Sequence, residues 1–94
     1  MTSRPAVKFG VEVWDPEKPR WEDRHEKHRA AGINCGSDRA VGRLFRREYP
    51  KRSSVNRAVP NLRRLFPGAI LEIRFYEHEG FFWMQRGEIE TEVL

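Results

Sequence analysis

Arginine is the residue whose number and placement say most about what this chain could do. Between residues 37 and 64 there are nine basic side chains: Arg39, Arg43, Arg46, Arg47, Lys51, Arg52, Arg57, Arg63 and Arg64. Only Asp38 and Glu48 oppose them, which leaves a local surplus of seven positive charges. The guanidinium group stays charged and presents a planar fork of donors, so it matches phosphate or carboxylate bidentately where an ammonium acts as a point charge. From residue 65 onward the sign reverses, with Arg74 and Arg86 against Glu72, Glu77, Glu79, Glu88, Glu90 and Glu92. A domain polarised in this way orients in the field of an anionic partner and is repelled by it at the acidic end. The chemistry implied is charge neutralisation on a nucleic acid or on an acidic protein patch. The plainer alternative is a solvated surface whose arginines pair with the chain's own glutamates.

Other chemistry is poorly supported. His25-Glu26-Lys27-His28 is one residue short of the zinc-protease spacing, and His25, His28, Cys35 and His78 form a ligand set only if the fold gathers them. Cys35 has no base indicated beside it, and there is no glycine loop to cradle phosphates and no paired-carboxylate signature. The expectation is a non-enzymatic protein with no metal and no cofactor. A second candidate surface comes from aromatics. Trp14, Tyr76 and either Phe81 or Trp83 fall opposite the aliphatic positions of their strands and could stack on bases or anchor a protein interface. Packing against residues 20–36, or a homodimer contact, is the plainer use of such residues.

The elements that must position these groups follow from periodicity. With 94 residues, the chain can bury one core, so a single domain over 1–94 is expected; 34% of the residues are charged, which implies a strongly polar surface. No apolar run is long enough for a signal peptide or a membrane span, and the lone Cys35 suits a reducing compartment, so a cytoplasmic location is expected. Residues 6–14 alternate, with Val7, Phe9, Val11 and Val13 on one face, as a half-buried strand does. After the turn residues 15–19, the segment from Trp21 to about residue 25 reads as a second strand closing a hairpin, or residues 19–31 read as a helix. A helix over 38–49, capped by Ser37 or Asp38, is expected to bury Val41, Leu44 and Phe45, with Arg39, Arg43, Arg46 and Arg47 outward. A second helix after Pro50–Ser54 would bury Val55, Val59, Leu62 and Phe66, starting near Asn56 or bending because of Pro60. Alternation returns over 69–77, and a turn at Glu79-Gly80 and a bulge at Gly87 shape the C-terminal strands. The expected fold class is α+β: a small antiparallel sheet made of an N-terminal and a C-terminal hairpin, packed against a central pair of helices.

Helix, turn and helix over 38–66 followed by a strand pair resemble the layout of a winged helix-turn-helix domain, which implies DNA binding. The acidic residues Glu77 and Glu79, at what would be the wing tip, depart from that pattern because they would meet phosphate repulsion. The run Gly-Val-Glu-Val-Trp-Asp-Pro-Glu-Lys-Pro-Arg-Trp-Glu-Asp-Arg-His at residues 10–25 resembles the opening of small accessory proteins of actinobacterial bacteriophages. That resemblance implies a short single-domain protein acting by binding a host or viral macromolecule, and it transfers no site residues. The expected function is nucleic-acid binding through phosphate contacts, with Lys51 and Arg52 in the turn as further contacts. The alternative is an accessory protein that docks its arginines, or the Trp14 and Tyr76 face, on a host protein and inhibits or modulates it.

Overall fold

The computed structural model describes residues 6–18 and 42–94. Their elements are strands β1 (Val7–Trp14) and β2 (Arg43–Tyr49), helix α1 (Arg52–Leu65), and strands β3 (Ile70–Glu79) and β4 (Phe82–Val93). The four strands form one antiparallel sheet in the order β2-β1-β3-β4. β1 is flanked on both sides because its alternation supplies one apolar face. Val11 and Val13 on that face are fully buried, and their neighbours in register are Arg47 and Phe45 on β2 and Ile73 and Leu71 on β3.

α1 covers this apolar face. Val55 and Leu62 lie two turns apart on one side of the helix and complete a core with Val11, Val13, Tyr49, Ala69, Leu71 and Ile73. The helix continues through Pro60 from Arg52 to Leu65. Proline removes one backbone donor. Arg63 and Arg64 occupy the last turn, where positive charge complements the helix dipole. The chain leaves the helix through Gly68, whose φ of 82° is the left-handed geometry glycine tolerates. Leu94 then exchanges backbone hydrogen bonds with this turn, as Gly68 N–H donates to its carbonyl and its own N–H donates to Ala69.

The expected pair of central helices is overturned. Residues 43–49 are a strand, and among the described residues α1 is the one helix. Gly42 explains part of the difference: its φ of 84° breaks a right-handed helix in the middle of the expected 38–49 segment. The rest lies in an ambiguity of spacing. Phe45 and Tyr49 are four residues apart, which puts them on one face of a helix and equally on one face of a strand. The free edge of β1 resolves it, because pairing there satisfies the backbone groups of both strands. The expected N-terminal hairpin of β1 with residues 21–25 is overturned as well, because both edges of β1 are taken, one by β2 and the other by β3. Residues 21–25 themselves, the alternative helix at 19–31 and the start of the 38–49 helix lie outside the described residues.

The C-terminal hairpin does form, with its irregularity at Gly87. Opposite Ile73 stands Glu90 and opposite Phe75 stands Arg86, so β4 carries two extra residues there, and Gly87 has a φ of 73°. Beyond the reach of α1 the end of this hairpin exposes large apolar side chains, with Phe81 93% and Phe82 69% accessible. Among the described residues no helix is long and apolar enough to cross a membrane.

Candidate functional site

Replacing the first helix by β2 redistributes the arginines, since a strand sends successive side chains to opposite faces. Arg43 and Arg46 lie on the sheet face away from α1, and Arg47 lies on the α1 face between Phe45 and Tyr49. Three of the nine basic residues are neutralised internally. Arg43 donates to Glu12 Oε2 at 3.3 Å; Glu12 Oε1 accepts from Arg74 at 3.0 Å, and Arg74 also lies 3.2 Å from Glu72. This network ties β2, β1 and β3 together on the face opposite the helix. Arg52 donates to Glu90 at 2.6 Å and Arg63 to Glu92, so two helical arginines lean over β4. The row of glutamates on β4 therefore serves the chain itself at Glu90 and Glu92.

Five basic residues have no acidic partner among the described residues: Arg46, Arg47, Lys51, Arg57 and Arg64. Arg64 donates to the Asn61 side chain, and Arg47 stacks 5.3 Å from the centre of the Tyr49 ring. Arg39 lies outside the described residues, as do His25, His28 and Cys35. The surface expected from two adjacent helical rows is thus absent. What takes its place is a smaller cationic flank formed by β2 and the outward side of α1.

A groove of about 600 Å³ runs along that flank. Phe45 and Tyr49 on β2 and Leu62 and Leu65 on α1 give it apolar walls, Arg47 and Arg57 stand beside them, and Glu48, paired with Lys8, also lies at its border. Tyr49 and Leu62 belong to the core, whereas Leu65 is 58% exposed. The positions of β2 and α1 set this geometry: β2 is the terminal strand of the sheet, and α1 lies over β1 and β2. Among the described residues nothing pairs with the outer edge of β2. A second cleft of about 470 Å³ lies on the other side of α1, with Leu71, Ile73 and Val59 in its wall and the Arg52–Glu90 pair beside them.

The aromatic surface proposed from Trp14 and Tyr76 is not available in the form expected. Trp14 is only 7% exposed. Tyr76 is half-buried and its ring covers Gly10 so closely that a Cβ there would sit 3.0 Å from it. Lys8 occupies the remaining space, 4.3 Å from the Trp83 ring centre and 2.8 Å from a Glu48 oxygen. His78 meets Trp83 edge-on at 5.0 Å. Among the described residues no group of three or more His, Cys, Asp and Glu side chains is placed to hold a metal ion. Sequence reasoning missed Phe45, Tyr49 and Leu65 as groove residues, because it placed Phe45 under a helix and left Tyr49 as a helix end. The signal that could have found them was Gly42, a helix breaker just ahead of an alternating Phe-x-Arg-x-Tyr.

Compared with known proteins, the chain matches no protein-family model, no curated protein and no solved structure.

Proposed function

We propose that this chain is a non-enzymatic binding module that receives an anionic stretch of a macromolecule in the groove between β2 and α1. One observation carries the reading. Arg47 and Arg57 flank an open groove without an acidic partner among the described residues, whereas Arg43, Arg52 and Arg63 are each held by a glutamate. Both guanidinium groups are exposed and lie beside apolar walls, so they can offer a bidentate fork to a carboxylate or phosphate that enters the groove. Lys51, Arg46 and Arg64 are also exposed without an acidic partner among the described residues, and they add long-range attraction that raises the association rate.

Two classes of macromolecule carry such a stretch: nucleic acids and acidic protein segments. A phage-type accessory role, in which occupation of the groove modulates a host protein, belongs to the second class. The test is fluorescence anisotropy with two labelled probes, a twenty-residue oligothymidylate and a poly-glutamate of similar charge, at 50 and 300 mM NaCl. At least one probe should bind, with affinity falling at the higher salt and falling at least about tenfold in the Arg47→Ser/Arg57→Ser double variant. The Arg63→Ser variant should bind as the parent does. The reading is refuted if neither probe binds, or if the double variant binds unchanged.

A further inference from the structure

We infer that the anionic partner is an extended acidic polypeptide segment that adds a strand to the outer edge of β2; this rests on the proposed use of the groove and specifies what fills it. Three features of that flank converge. The first is backbone geometry. β2 is seven residues long, ends the sheet, and has no described strand on its outer side. A strand of matching length spans about 23 Å and would sit roughly 4.8 Å away, close enough to pair its backbone with that edge.

The second feature is shape. Side chains of an added strand alternate between the two sheet faces, so every second one would enter the groove on the α1 side. There it meets Phe45, Leu65 and the small exposed margin of Tyr49. A phosphate backbone has no use for apolar walls, and Tyr49 is too buried, at 9% exposure, to offer a face for base stacking.

Charge is the third. Along the groove face of β2 the order is Phe45, Arg47, Tyr49, so the facing residues of the partner are expected to read apolar, acidic, apolar at every second position. Arg57 reaches the same groove from α1 and can share the central carboxylate. On the opposite face Arg46 favours a further acidic residue, while Glu48 is engaged by Lys8. The pattern is the same for parallel and antiparallel addition, because both keep the two-residue alternation. The opposite edge, β4, is ill-suited to such a partner, since its Arg86 is held by Glu79 and its Glu88 has no basic partner among the described residues.

The experiment is selection from a random ten-residue peptide display library with the full chain as bait, followed by anisotropy with the enriched peptides as synthetic probes. The enriched peptides should carry an acidic residue flanked two positions away by apolar ones, and Arg47→Ser should weaken them about tenfold, the loss of one charge-assisted hydrogen bond. N-methylation of the peptide should abolish binding at alternate backbone positions only, and alternate amides of β2 should exchange at least about tenfold more slowly when the peptide is bound. Binding of the oligothymidylate with no peptide enriched would overturn the strand assignment while leaving the anion-binding reading intact. Enriched peptides without acidic residues, or insensitive to backbone N-methylation, would also overturn it. Concentration-dependent self-association removed by Arg47→Ser would assign the groove to a second copy of the chain instead. If neither peptides nor oligothymidylate bind, both readings fail, and the arginines of β2 serve only to guard an exposed edge.

Discussion

Glu12→Gln isolates the electrostatic network on the sheet face away from α1. Glu12 accepts from Arg43 on one oxygen and from Arg74 on the other, at 3.3 and 3.0 Å, with its side chain 18% exposed. Glutamine keeps the length and one acceptor but loses the charge, leaving two guanidinium groups facing a neutral amide. A hydrogen bond to a charged group contributes roughly 1.5–3 kcal/mol, and partial exposure of the pair argues for the lower end. Arg74 retains Glu72 at 3.2 Å, which limits the damage on that side. The expected loss is therefore about 2–3 kcal/mol. In a chain of this length it appears as a fall in Tm of roughly 10–15 °C, since each kcal/mol shifts a small domain by about 4–8 °C. Urea unfolding followed by circular dichroism should give the same loss as a lower midpoint with unchanged slope. Most of the loss should persist at 0.5 M NaCl, because partly buried pairs are screened far less than exposed ones. A double-mutant cycle with Arg74→Met should return a coupling of about 1 kcal/mol or more. A loss below about 0.5 kcal/mol together with no coupling would refute the reasoning, and Arg43 would then count among the cations free to meet a partner.

The remaining expectations concern the core and the ion pairs over β4. Leu71 is fully buried between the sheet and α1, so Leu71→Ala should destabilise by about 3 kcal/mol through lost transfer energy and a residual cavity; a loss under 1 kcal/mol in urea unfolding would mean the core is not packed as described. Arg63 and Glu92 are about half-exposed, so Arg63→Ala should cost less than about 1 kcal/mol and little of that should survive in 0.5 M NaCl.

Much of the sheet is legible in the sequence because period-2 alternation is a local signal. Val7, Phe9, Val11 and Val13 share the face the alternation assigns, and the turn, which falls one residue later than expected at Gly80 and Phe81, and the Gly87 bulge are marked by glycines that permit unusual backbone angles. The helix at Arg52–Leu65 is equally local, through the spacing of Val55, Val59 and Leu62. Residues 43–49 are ambiguous in the sequence because their side chains satisfy both periods. Leu44, Arg46, Arg47 and Glu48 are good helix formers, and only Gly42 and the partner strand β1 distinguish the two.

The candidate site depends on that one segment. Composition and order along the chain alone determined that an arginine-rich middle precedes an acidic end, and that β-branched and aromatic residues alternate where β1 and β3 run. Only the tertiary structure decided which arginines stay available, because pairing Glu12 with Arg43, Glu90 with Arg52 and Glu92 with Arg63 joins residues 29 to 38 positions apart. It also decided that Phe45, Arg47 and Tyr49 line a groove, since β1 offered an unpaired edge and backbone hydrogen bonding there outweighed a local preference for helix.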